Sequence, residues 1–502
     1  MLFPAVPANQ DRFPQVVANA LKVVKEERIS TFSVDVDTAS YAFLRRTIHM
    51  GQLPQADAVR VEELINYFDY DYPLPKSLKH PFQPTVALFP APWNEEKKLM
   101  LVGIKGYAPP PQERPPAHLT LLVDVSGSMA PENRLPLLRT AFSMMVNQLR
   151  PEDTVAVVVY ASDVGIRLQP TAVAEKEKIL EVIDSLQAGG ATAGGSGIRM
   201  AYELAKKTFN PKAVNRVILA TDGDFNVGMT SLQELQAFIS EQRKSGIYLS
   251  VLGVGYGNYN DALMQSLAQN GNGVAAYIDS LTEARRVLVD NLTANLFPIA
   301  NDVKIQVEFN PARVSEYRLL GYETRMLKRE DFNNDKVDAG DVGAGHSVTA
   351  LYELTLTGSK GKRAVEPLRY GEESNEAEES VTAATGQAQA GGKGEKSRTK
   401  AHAQEYAFLK MRYKTPGESN SQLLEQPITD KVAFSNDDEI PANHRFAAAV
   451  AAFGLKLRND SLLGDFSYAR IVEQAQKGKG EDGSGLRAEF INMVKTVQAR
   501  QR

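Results

Sequence analysis

From residue 118 to about residue 296, short apolar runs alternate with amphipathic stretches of helical period. The runs 119–123, 154–160, 216–220, 247–254 and 274–278 are nearly continuous in Val, Ile, Leu and Ala, the mark of strands covered on both faces. Between them the spacing predicts helices over 134–149, 175–186, 197–209, 231–244, 261–268 and 281–292, and 164–171 would add a short antiparallel edge. Alternation at this spacing requires parallel crossovers. The expected fold is therefore α/β, a doubly wound, mostly parallel sheet with helices on both faces.

The flanks follow a period of two instead. Phe32, Val34 and Val36 alternate with Ser33, Asp35 and Asp37, as in a half-buried strand, and Asp37 or Thr38 can cap a helix that runs to Met50 and ends at Gly51. A second helix over 56–67 and strands over 82–89 and 98–107 follow, before a proline-rich connection at 109–116. After Phe297, Val303, Ile305, Val307 and Phe309 alternate with polar residues, as do Tyr352, Leu354 and Leu356, and 406–413 is similar. That is the pattern of an antiparallel, sandwich-like domain. Residues 371–400 hold almost no large apolar side chain and predict a disordered loop. The end of the chain, 443–458 and 485–500, predicts helices, with Ala447–Ala449 and Ala451–Ala452 forming a small-residue face.

These shifts divide the chain into a tail (1–30), an N-terminal segment of helices and strands joining the sandwich (31–115), the α/β domain (116–296), the sandwich (297–440) and a helical end (441–502). The strands before 109 and after 297 share one character, so the α/β domain is expected to be inserted in the sandwich.

Composition narrows the function classes. A chain of 502 residues needs several cores. The formal net charge of −4 gives no electrostatic case for nucleic acid or an anionic membrane. With no Cys, thiolate metal sites, disulfides and Cys nucleophiles are excluded. The six His form no H-E-x-x-H, and no G-x-S-x-G elbow is present, so the chain is read as a non-enzyme.

The candidate chemistry sits where the apolar runs stop. In a doubly wound sheet, ligands bind beyond the carboxyl ends of the strands. The first run ends in Asp124-Val125-Ser126-Gly127-Ser128, a carboxylate and two hydroxyls at alternate positions. A Gly-rich loop at 189–195 offers Thr192, and the third run ends in Thr221-Asp222-Gly223. Asp124, Ser126, Ser128, Thr192 and Asp222 are hard oxygen donors of modest total charge, suited to Mg²⁺ and also to Ca²⁺ or Mn²⁺. One position would remain for water or an incoming carboxylate. For Asp35 and Asp37, cap and polar-face roles are the expected reading ahead of a second cation site.

These three motifs, in this order, resemble the metal-ion-dependent adhesion site of von Willebrand factor type A domains over about 118–296. The resemblance implies that Ser126, Ser128 and Thr192 bind the cation directly, that Asp124 and Asp222 bind it directly or through water, and that an acidic side chain of a protein partner completes the coordination. More broadly, Thr31–Tyr41, Ala58–Phe68, Asp338–His346 and Phe446–Phe453 resemble a bacterial family with a characteristic N-terminal segment before a type A domain and an uncharacterised domain after it. Its members typically carry export leaders, often lipoprotein ones. The resemblance implies the cell envelope or periplasm, with membrane contact only through a lipid anchor lying outside this sequence. The alternative is a cytoplasmic accessory or scaffold working with an ATPase machine, as other type A domain proteins resemble.

Overall fold

The computed structural model describes residues 11–190, 195–223, 232–359 and 402–500. The predicted loop 371–400 lies outside them.

Among the described residues six strands form the central sheet, in the spatial order Ala275–Ile278, Ile247–Val254, Val214–Thr221, Ala117–Asp124, Thr154–Tyr160 and Val164–Ala172. All neighbours are parallel except the last pair, which is antiparallel. The strand Ala117–Asp124 comes first in the chain but lies inside the sheet, flanked by Val214–Thr221 and Thr154–Tyr160. Strand order therefore reverses beside it, a switch point of the kind at which ligands bind beyond the carboxyl edge of a sheet. Leu121 and Val123 pack toward Leu138, Phe142 and Met145 of the helix Leu135–Val146, whereas Leu122 packs with Ile198, Ala201 and Tyr202 of the helix Gly195–Lys207. Burial on both sides explains the unbroken apolar run.

Strands from before and after this unit make two antiparallel sheets. One runs Lys22–Val23, Val314–Leu320, Ser347–Leu356, Asn94–Gly106, Phe82–Ala91. In the other, Pro298–Phe309 pairs with Glu405–Lys414 on one side, and on its other side with Gly340–Gly343 and then Ile29–Ser33; Ser421–Thr429 closes the far edge. Met100, Val102 and Tyr352 of the first sheet share a core with Ile305, Val307, Leu409 and Met411 of the second. The outer face of the first sheet, through Ala87, Phe89, Leu99 and Leu101, is covered by the helices Ala442–Leu457, Tyr468–Lys477 and Leu486–Arg500. Every residue from Phe446 to Phe453 is buried, and Gly454 lets this helix approach Val61 and Leu64 of the helix Val61–Asn66.

Several expectations need correction. The tail ends well before residue 30: Asp11 Oδ1 accepts the amide protons of Gly257 (2.9 Å) and Tyr259 (2.8 Å), and Ile29 already belongs to a strand. That strand, Ile29–Ser33, is not half-buried. Its polar face is met by long-range partners: Thr31 Oγ1 accepts from Gln306 Nε2 at 3.0 Å, and Ser33 Oγ accepts the Gly340 amide at 2.7 Å. Helix 56–67 is broken into a short turn, Ala56–Ala58, and the helix Val61–Asn66. The Thr38 hydroxyl caps nothing and instead accepts from Arg286 at 2.5 Å. Asp35 and Asp37, expected as cap or polar-face residues, are instead ion-paired: both receive Arg325, at 2.9 and 3.2 Å, and Asp37 also accepts the Ala275 amide at 2.9 Å.

That last contact belongs to a buried ionic seam joining the N-terminal segment to the α/β unit. Arg45 donates to Asp279 and Glu283 (each 2.9 Å) and to Tyr67 (2.7 Å). Arg60 forks onto Asp261 at 2.6 and 3.1 Å and also grips Glu63. The two parts are thus fixed by charge-assisted bonds that solvent does not screen.

Glu62 lies in the same segment, fully buried, and has no ion-pair partner among the described residues. Burial, then the carboxylates of Glu323, Asp35 and Glu63, push its pKa up to about 8. Its folded value exceeds the unfolded one of about 4.3, so its contribution to stability is complete below that pH and is lost as pH rises through about 8. Glu62→Gln removes that loss. In urea titrations at pH 6 and pH 9, the variant should gain on the order of 2 kcal/mol relative to the parent at the higher pH. A pH-independent difference would refute the buried neutral carboxyl.

Candidate metal centre

Three loops meet at the carboxyl edge beside the switch point. The strand Ala117–Asp124 delivers Asp124 with its side chain fully buried, since burial extends to the last residue of the run. The chain then turns on that carboxylate: Oδ1 accepts the Ser126 amide at 2.9 Å, and Oδ2 accepts the Thr221 hydroxyl at 3.3 Å from the neighbouring strand. The turn sends Ser126 and Ser128 the same way, and their hydroxyl oxygens lie 3.0 Å apart. Ser126 is buried, whereas Ser128 is exposed.

Asp222 follows the strand Val214–Thr221 directly and is also fully buried. Gly223 lets the chain leave with φ +108°; a Cβ there would crowd the Asn258 carbonyl and the backbone of Tyr259. The Gly-rich loop is tied to the same turn, because the Gly189 amide donates to Val125 O (2.8 Å) and the Gly127 amide to Gly190 O (2.9 Å). Residues 189 and 190 thus reach the site. Thr192 lies outside the described residues, as do Asp224 and Asn226.

Four of the five sequence-predicted residues are therefore described at one edge of one sheet. Burial, the largest influence, raises the pKa of Asp124 against the opposing bonds from Ser126, and the Asp222 charge adds to the rise. Two buried carboxylates close enough to raise one another's pKa favour a neighbouring cation. Two adjacent hydroxyls supply neutral oxygens. Among the described residues no group of three or more His, Asp or Glu is placed to hold a metal, so the hydroxyls are essential to such a site. The donor chemistry fits a small, hard divalent ion.

Sequence reasoning missed Arg134. It immediately precedes the helix Leu135–Val146, and its guanidinium reaches back into the site. Nη1 donates to Ser128 O at 2.8 Å and forms an ion pair with Asp222, while Nη2 donates to Tyr256 O (2.9 Å) and Asn258 Oδ1 (3.3 Å). Gly255, at φ +77°, makes room: a Cβ there would collide with the Arg134 side chain. The loop after the strand Ile247–Val254 turns through positive φ at Gly255 and Gly257, and it holds Arg134 against the site. The available signal was an arginine at a helix N-terminus, where the macrodipole disfavours positive charge. Tyr256 is half exposed on the rim, with the Arg46 guanidinium 4.2 Å from its ring centre.

Comparison with known proteins agrees with this architecture. Residues 118–290 match the von Willebrand factor type A domain, 7–101 a von Willebrand factor model, and 294–499 the C-terminal region of uncharacterized protein YfbK. Over 489 residues the chain is 43% identical to uncharacterized protein YfbK of Escherichia coli (strain K12), spanning 96% of this chain and 80% of that protein. It is 25% identical over 233 residues to inter-alpha-trypsin inhibitor heavy chain H4 of Homo sapiens, 44% of this chain and 25% of that one. Among solved structures, von Willebrand factor type A from Catenulispora acidiphila aligns with 84% of this chain and 91% of its own, at 15% identity and a TM-score of 0.42.

Proposed function

The chain belongs to the YfbK family and contains a von Willebrand factor type A domain, and from that premise we propose that it is a divalent-cation-dependent protein-binding protein. Asp124, Ser126, Ser128 and Asp222 would hold the ion, with Thr192 as a further donor. Mg²⁺ is the first candidate, and Ca²⁺ or Mn²⁺ the alternatives. The observation that carries the reading is the pair of hydroxyl oxygens 3.0 Å apart beside two buried carboxylates at the switch point. When bound, the ion supplies a partly neutralised positive centre that attracts an acidic side chain of a partner.

The protein's own groups hold and orient. Ser126 and Ser128 are aimed by the turn on Asp124, and Thr221 fixes the second oxygen of that carboxylate. The side chains bonded to these oxygens are hydroxyls and a guanidinium, which supports a binding role over proton transfer. Placement in the cell envelope is part of the proposal and rests on the family resemblance of the whole chain.

Thermal melting in Mg²⁺ and in chelator tests the reading. An ion at 100 times its dissociation constant adds about 2.7 kcal/mol to the wild type. Asp124→Ala should keep its fold and lose that increment. An equal shift in the variant would remove the assignment.

A further inference from the structure

The ion pair between Arg134 and Asp222 bears directly on how the site loads, and the inference drawn from it rests on the cation reading above. We propose that Arg134 is a tethered competitor for the cation: it weakens binding of the bare ion and leaves the loaded site with excess positive charge for an acidic partner.

The geometry supports this in three steps. First, Arg134 is held in place by more than Asp222. The Tyr256 carbonyl and the Asn258 side chain seat Nη2, and the Ser128 carbonyl seats Nη1. The loop offering those seats is fixed in turn, since Gly255 O accepts from Arg46 at 3.3 Å and the Gly257 and Tyr259 amides bind Asp11. Losing Asp222 would therefore not send the guanidinium into solvent. Its charge stays beside the ion in either state.

Second, the pair is only slightly wet. Asp222 is fully buried and the Arg134 side chain is 12% exposed, so solvent screens their interaction weakly. An incoming ion must displace Nη1 from Asp222 or share that carboxylate with it, and both weaken its attachment. Arginine keeps its proton at any accessible pH, so the competition is permanent.

Third, the charge balance favours an acidic ligand. Asp124 and Asp222 cancel a divalent ion, and Arg134 then leaves the loaded site positive. Arg46, held against the half-exposed Tyr256 ring, adds a second positive charge on the rim. Affinity for the bare ion is exchanged for affinity toward a carboxylate, so the two ligands should bind cooperatively.

Calorimetric titration of the full chain with Mg²⁺ alone, in the wild type, Arg134→Gln, Arg134→Lys and Arg285→Gln, tests the proposal. Arg134→Gln removes the charge and should bind Mg²⁺ at least 10-fold more tightly. Arg134→Lys retains the charge and should stay within about 3-fold of wild type. Arg285→Gln, a mostly exposed arginine paired with Asp290 and making no contact with the site residues, should match wild type. If Arg134→Gln binds equally or more weakly while wild type binds, Arg134 only positions Asp222 and the competitor role is overturned. If no folded variant binds, the cation reading itself falls and this proposal with it.

Discussion

Arg60→Ala should destabilise the protein by about 3–5 kcal/mol, the range for removing one partner of a buried ion pair. Arg60 is fully buried, and it forks onto Asp261 of the α/β unit while gripping Glu63 of its own helix. Deleting it leaves two fully buried carboxylates with their main cation gone, a larger penalty than the pair's net contribution when intact. Since domains rest on about 5–15 kcal/mol in total, the variant should lose much of its soluble yield or unfold at a far lower denaturant midpoint. Arg285→Ala is the control. Its partner Asp290 lies 3.6 Å away and both side chains are more than half exposed, so the change should stay under about 1 kcal/mol. Similar losses in the two variants would mean that the seam does not hold the α/β unit in place.

Phe453→Ala should cost a further 3–5 kcal/mol class of stability, on the order found for emptying a buried aromatic site. Phe453 is fully buried where the three C-terminal helices meet, its ring 5.5 Å from Phe490 at 87° and 6.2 Å from Tyr468 at 70°. The neighbouring Gly454 packs against Val61 and Leu64, so the cavity would open beside the contact that ties these helices to the N-terminal segment. Leu423, about half exposed on an edge strand, provides the contrast: Leu423→Ala should change the urea midpoint by less than about 0.5 kcal/mol equivalent. A Phe453→Ala effect that small would show that the C-terminal helices are only loosely docked.

The α/β unit was legible because burial on both faces leaves an unmistakable trace. The strands Thr154–Tyr160 and Ile247–Val254 coincide with their apolar runs, and the predicted antiparallel edge is Val164–Ala172. The helices Leu135–Val146 and Lys176–Asp184 are shorter than predicted by a few residues, Asp261–Asn270 runs two residues longer, and the predicted helix 281–292 is broken into Leu281–Arg285, a wider turn over Arg286–Asp290 and Leu292–Leu296, since element ends carry the weakest periodic signal. Elsewhere, alternation misled where a polar face is buried against partners far away in sequence. Thr31 and Ser33 read as solvent-facing but meet Gln306 and Gly340, some 270 to 310 positions on. The helix Tyr468–Lys477 was missed although its buried residues Tyr468, Ile471, Val472 and Ala475 recur at helical spacing.

At the site, Asp124, Ser126, Ser128 and Asp222 were readable because their chemistry ends apolar strands. Arg134, Tyr256 and Asn258 were not. Each looks like an ordinary loop or helix-end residue until the fold places the strand Ile247–Val254 beyond Val214–Thr221 and brings its loop against Arg134.

Direct counting of bound Mn²⁺ by electron paramagnetic resonance tests the central claim. The account predicts one ion per wild-type chain in an oxygen environment, displaced by excess Mg²⁺, and none in the Ser126→Ala, Ser128→Ala double variant at the same concentrations. An unchanged ion count in that folded double variant, or no bound ion in the wild type, would contradict it.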